Sequence, residues 1–149
     1  MDGFKSITIE NFRGIRRLEM EDFSRVNVLL GQNSSGKSSV LECLLLAMGM
    51  SNPDLPQTIN AIRSRSYSGF ADLSYLFPHL DMTASPQISA DLCDGTKRRL
   101  TLGMTYVFDG GSQPEGLPNG QIPTSETKVF LNTLKMAFQI EGNQEKREF

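Results

Sequence analysis

One stretch of the chain has residue types and spacing suited to holding a phosphate. Gly31-Gln32-Asn33-Ser34-Ser35-Gly36-Lys37-Ser38 satisfies every fixed position of G-x-x-x-x-G-K-[ST]. The glycines let the backbone turn tightly and aim its N–H groups at phosphate oxygens. A helix starting at Lys37 adds the partial positive charge of its N-terminus. In this arrangement Lys37 reaches the terminal phosphates as a point charge, and the Ser38 hydroxyl becomes a ligand of Mg²⁺, a hard ion that keeps several waters. Ser39 is placed to donate to the phosphate nearest the sugar. Ser34 and Ser35 have neither a nucleophile-elbow frame nor a base beside them, so acyl-transfer chemistry is not expected of them.

Such a loop works only between a strand and a helix. Arg25-Val-Asn-Val-Leu-Leu30 is apolar, rich in β-branched residues and of strand length, and is expected to be the strand leading into it. Ser38–Met48 is apolar on nearly every side, which predicts a largely buried helix, with Leu41, Leu44, Leu45 and Met48 as core packing. Gly49 and Asn52-Pro53 are its stop signal. Upstream, Phe4–Phe12 alternates around Ile7 and Ile9, Arg13-Gly14 suits a turn, and Leu18-Glu19-Met20 alternates again, so a strand pair is expected. Short helices fit residues 57–65 and 70–77. From residue 87 the pattern becomes β: Ile88, Ala90 and Leu92 alternate, Asp94-Gly95 is a hairpin dipeptide, and Leu100, Leu102, Met104, Tyr106 and Phe108 follow at period two. Gly110, Gly111, Pro114, Gly116, Pro118, Gly120 and Pro123 mark residues 110–125 as a flexible loop, either a functional insertion or a surface excursion. Leu134–Ile140 is a last alternating run. Gly142-Asn143 opens a hairpin that the tail does not complete, so the chain is expected to be cut short at its C-terminus.

The strand Ile7-Thr-Ile-Glu-Asn-Phe-Arg-Gly-Ile15 and the loop Gly31–Ser39 with Val40-Leu41-Glu42 together resemble the N-terminus of the ABC-type ATPases of the AAA family. These include RecF, the SMC proteins and the OLD (overcoming lysogenization defect) nucleases. The resemblance covers about residues 4–48 and includes the Walker A loop; Ser34, where transporters carry Gly, makes it closer to OLD-like members. It implies an α/β fold: the N-terminal lobe of a P-loop NTPase, with a mixed sheet and flanking antiparallel hairpins, occupying residues 1–149 as a partial nucleotide-binding domain. It implies ATP and Mg²⁺ as ligands, a homodimer closed over the nucleotide, a DNA partner, and roles in DNA repair, DNA maintenance or phage defence. Arg13 matches the family's arginine near the nucleotide; an exposed turn residue is the equal alternative.

The family's C-terminal motifs are missing from the sequence. No L-S-G-G occurs, and Tyr106-Val-Phe-Asp109 puts Gly110 where the catalytic Glu belongs, so Asp109-Gly110 suits a turn better. Hydrolysis is therefore expected to need a further segment, and the catalytic residues cannot be named from this stretch. The alternatives are a small P-loop kinase or other NTPase, and a non-catalytic module that binds nucleotide as a structural or regulatory ligand.

Composition fits this reading. Hydrophobic residues form 38% of the 149, enough for a core, and 15 basic against 17 acidic residues leave a net charge of −2, so no global field draws the chain to nucleic acid. The clusters Arg13/Arg16/Arg17 and Lys97/Arg98/Arg99 suit solvated turns and hairpins better than a DNA-binding face. Cys43 and Cys93 stand far apart without a Cys/His cluster, and His79 has no partner in sequence, so no metal spacing exists. With no long apolar run and no basic-then-apolar leader, a soluble cytoplasmic protein without a membrane partner is expected.

Overall fold

The computed structural model describes residues 3–63, 69–108 and 129–141. Five strands, β1 (Phe4–Phe12), β2 (Ile15–Glu21), β3 (Gln87–Leu92), β4 (Lys97–Phe108) and β5 (Val129–Glu141), form one sheet in the order β2-β1-β3-β4-β5. Each neighbouring pair is antiparallel. Period-two alternation puts one row of apolar side chains on a common face across the whole sheet: Leu18 pairs with Ile9, Ile9 with Ile88, Ile88 with Leu100, and Leu100 with Phe138. Of these, Ile9, Ile88, Leu100 and Phe138 are buried.

Helix α1 (Lys37–Met48) lies on that face against β1, β3 and β4. It buries Val40, Cys43, Leu46 and Ala47 there. Helix α2 (Leu55–Arg63) and a 3₁₀ segment (Gly69–Leu76) close the core with Ile59, Leu73 and Leu76. Two sets of contacts fix the C-terminal end of α1. At the C-terminus the Gly49 N–H donates to the Leu45 carbonyl at 2.9 Å. Arg98 of β4 donates to the carbonyls of Ala47 (3.2 Å) and Met48 (3.0 Å), placing a cation where the helix dipole is negative. The outer face carries solvated pairs such as Arg17–Glu10.

Two expectations about the loop's supports are corrected. Residues 25–30 form no strand: Val26, Val28 and Leu30 are 79%, 73% and 88% exposed. Their alternation is genuine, but β2 and β5 are the sheet edges and neither neighbours this segment. The sheet is consequently antiparallel throughout the described residues rather than mixed. Helix α1, expected to be largely buried, exposes Leu41 (58%), Leu45 (47%) and Met48 (48%), a stripe at i, i+4 and i+7, because the sheet covers only its opposite side. The segment expected as a helix at 70–77 is 3₁₀ over Gly69–Leu76. The loop 110–125, the Asp109-Gly110 turn and the tail beyond Glu141 lie outside the described residues.

Candidate phosphate-binding site

The turn between β1 and β2 and the loop ahead of α1 meet at one end of the molecule. Ser34 and Gly36 both adopt positive φ, 63° and 90°, which coils the loop back before the helix begins. Gly36 is the N-cap of α1, with φ 90° and ψ 0°, and no side chain caps the helix. The first-turn N–H groups of a helix have no acceptor within it. Here no side chain caps them, and Gly36, Lys37, Ser38 and Ser39 line the concavity over the loop. At Gly31 a Cβ would sit 2.7 Å from Ser35 Oγ, so a larger residue there requires the Ser35 hydroxyl to turn away.

Gly36 yields a direct prediction. Ile15 Cγ1 is 3.7 Å from a Cβ built there, so space is available and the cost of Gly36→Ala is backbone strain alone. That strain is about 1–2 kcal/mol for an L-residue held in the left-handed region. A thermal melt is expected to show it; an unchanged melting curve would mean that Gly36 does not hold this conformation.

A cavity of about 480 Å³ opens over the loop, lined by Arg13, Gly14, Ile15, Asn33–Ser39 and Arg63. Its size falls in the range of roughly 300–1,000 Å³ common for small-molecule sites. Among the described residues three cations line it and no carboxylate does. Lys37 Nζ donates to the carbonyls of Gly31 (2.8 Å) and Gln32 (2.6 Å) and to Ser35 Oγ (3.3 Å), bridging the loop from inside. Gly31 and Gln32 thus contribute oxygens to the lysine rather than surface to the cavity. Ser38 is exposed in the lining, whereas Ser39 beside it is buried.

Arg13 borders the cavity, but its guanidinium turns inward. Nε donates to Glu42 Oε2 at 2.7 Å, Nη2 to Asn60 Oδ1 at 3.1 Å and Nη1 to the Tyr75 carbonyl at 3.3 Å. Its side chain is only 8% exposed. Loss of hydration pulls its pKa below the usual arginine value, with the Glu42 carboxylate opposing that shift. Arg13 is therefore not an exposed turn residue; it ties the β1–β2 turn to α1, α2 and the 3₁₀ segment.

Sequence reasoning missed two members of the site. Glu42 accepts from Arg13 on one oxygen and from Arg63 Nε at 2.7 Å on the other. Arg63, at the end of α2, also donates from Nη2 to Ser39 Oγ at 3.3 Å. A lone acid within the apolar run 40–48 was the available signal for Glu42. Nothing local distinguishes Arg63. Among the described residues no group of three or more His, Cys, Asp or Glu is arranged to hold a metal ion. The lining fits Mg²⁺ only as an ion bound mainly by a ligand's phosphates, with the Ser38 hydroxyl as the protein's contribution. No helix of the described residues is long and apolar enough to cross a membrane.

Comparison with known proteins covers nearly the whole chain. A family model described as the AAA domain matches residues 6–147. Over 144 residues, 95% of its length, the chain is 26% identical to an ATP/GTP phosphatase of Helicobacter pylori, of which it covers 37%. It is 45% identical over 42 residues to the DNA replication and repair protein RecF of Listeria welshimeri, covering 28% of this chain and 11% of that protein. Over 45 residues it is 44% identical to structural maintenance of chromosomes protein 6 of Dictyostelium discoideum, covering 30% of this chain and 4% of that protein. The chain thus spans well under two thirds of each of these relatives. With its phosphate-loop sequence matched in full and almost its whole length within the family model, the chain belongs to the AAA domain family of P-loop ATPases, of the RecF and SMC type.

Proposed function

We propose that the chain binds ATP with Mg²⁺ at residues 31–39 and is the nucleotide-binding N-terminal lobe of an ATPase resembling the OLD, RecF and SMC proteins. The observation that carries this reading is the cavity at the start of α1, which brings Lys37, Ser38 and Ser39 together and, among the described residues, is bordered by cations without a single acid. A triphosphate carries the opposite charge, and the start of α1, which no side chain caps, suits an anion as well. Ser38 contributes to holding Mg²⁺, which supplies charge neutralisation between the phosphates.

Among the described residues the lining has no group to activate water and no acidic second ligand for the ion. Binding without turnover is the consequence for the 149-residue chain. Hydrolysis falls to a further segment and to a homodimer closed over the nucleotide. The exposed rows Val26/Val28/Leu30 and Leu41/Leu45/Met48, which flank the loop on both sides, support an additional apolar partner for this unit. The printed roles of the RecF and SMC relatives support DNA as the target of the whole protein, in repair or maintenance, and phage defence and a cytoplasmic location rest on the family resemblance alone.

The test is titration of the chain with Mg·ATP alongside a phosphate-release assay. Saturable binding with release at background is expected. DNA-stimulated release should then appear once downstream gene sequence is added. Steady multiple turnover by the 149-residue chain alone would overturn the lobe reading in favour of a self-sufficient kinase or NTPase.

A further inference from the structure

Two arginines border the cavity, and their surroundings differ. Arg13 has each of its three nitrogens bonded and is nearly buried. Arg63 shares the same carboxylate, but its side chain is 42% exposed. It contacts Ser39 Oγ, a buried hydroxyl at the floor of the site. One carboxylate between two guanidiniums leaves an excess of one positive charge. Lys37, whose partners are two carbonyls and a hydroxyl, adds a second. An anionic oxygen that accepts from the Ser39 hydroxyl arrives beside Arg63 Nη2, where this excess charge stands.

We propose that Arg63 is the second phosphate-binding cation of this site, contacting the same phosphoryl group as Ser39, while Arg13 serves only as an internal strut. This inference rests on the nucleotide-binding reading and assigns the cation that completes it. Glu42 positions Arg63 through Nε and leaves the outer edge of the fork for the ligand. A guanidinium suits this task because its planar N–H groups engage the carboxylate and a phosphate at once, which an ammonium cannot do with the same geometry.

The 149-residue chain is titrated with Mg·ATP and, separately, with inorganic tripolyphosphate, which has no base or sugar. Arg63→Ala is expected to weaken both ligands about tenfold, the worth of one charge-assisted hydrogen bond. Its melting temperature should stay close to that of the parent, because Arg63 is half exposed. Arg63→Lys should recover part of the loss. A second measurement needs no variant. Phenylglyoxal modification of Arg63 in the parent chain, read by peptide mass spectrometry, is expected to slow under saturating Mg·ATP while Arg13 stays unmodified throughout. Equal ATP affinity in Arg63→Ala and parent, or unprotected Arg63 with ATP bound, would overturn the assignment and leave nucleotide binding standing. A parent chain that binds neither ATP nor tripolyphosphate would overturn the nucleotide reading and this inference with it.

Discussion

Replacing Glu42 with Ala is expected to destabilise the chain by about 3–5 kcal/mol, the cost of leaving a buried charge without its counter-ion. Glu42 is 13% exposed and Arg13 8%. Without the carboxylate, the Arg13 guanidinium keeps only the neutral Asn60 and Tyr75 oxygens as the hydrogen-bond partners of a nearly buried charge. Arg63, more exposed, recovers hydration and adds little to the loss. At this chain length the effect should lower the melting temperature by roughly 10 °C. The informative control is the outer-face pair Arg17–Glu10, also at 2.7 Å but with side chains 64% and 36% exposed. Arg17→Ala should change stability by no more than about 0.5 kcal/mol. If Glu42→Ala and Arg17→Ala melt together, the inward network contributes nothing and Arg13 is not a strut.

That contrast also marks where reading the sequence stops. The strands β1, β2, β3 and β4 were legible because their core residues recur at period two, as in Ile7/Ile9 and Ile88/Ala90/Leu92, and the pattern itself states which face is buried. The hairpin at Asp94-Gly95 and the end of α1 at Gly49 were legible from single residues with specific backbone preferences. Residues 25–30 show the limit of that method. Alternation reports that a segment suits a sheet, but a strand also needs a neighbour's hydrogen bonds, and the sequence says nothing about whether one is present. Helix α1 shows the same limit in another form. With apolar residues all around, its sequence could not tell that Val40, Cys43 and Leu46 face the sheet and Leu41, Leu45 and Met48 do not.

The candidate site divides in the same way. The loop was legible because its chemistry is local: two glycines, a lysine and hydroxyls within nine positions. The network behind it is not local. Arg13 and Glu42 are 29 positions apart and Ser39 and Arg63 are 24 apart, so only the antiparallel sheet and the α1–α2 corner bring them together. For Arg13 the sequence leaves two readings level, a residue near the nucleotide by resemblance or an exposed turn residue. Its motif does bring it to the cavity wall, but Glu42, Asn60 and Tyr75 decide where the guanidinium points. The motif picks out the loop that lines the cavity, and the tertiary contacts decide which side chains turn away from it.

Lys37→Ala is expected to weaken Mg·ATP binding at least about 100-fold, equivalent to ~2.7 kcal/mol. Part of this is the loss of a charged donor to the phosphates, typically about 1.5–3 kcal/mol. Part comes from the loop. Lys37 Nζ is bonded to the carbonyls of Gly31 and Gln32 and to Ser35 Oγ, so its removal leaves those oxygens facing the place where an anion must enter. Lys37→Arg keeps the charge but should bind poorly as well, because a planar fork cannot occupy the space of a compact ammonium between two carbonyls. Since these contacts lie in an exposed loop, neither variant should lose more than about 1 kcal/mol of stability. The measurement is the rise in melting temperature with Mg·ATP: a ligand at 100 times its Kd stabilises the parent by about 2.7 kcal/mol. The same nucleotide concentration should leave Lys37→Ala nearly unmoved. A Lys37→Ala chain stabilised by Mg·ATP as strongly as its parent would place the nucleotide elsewhere, because no other ammonium borders the cavity among the described residues.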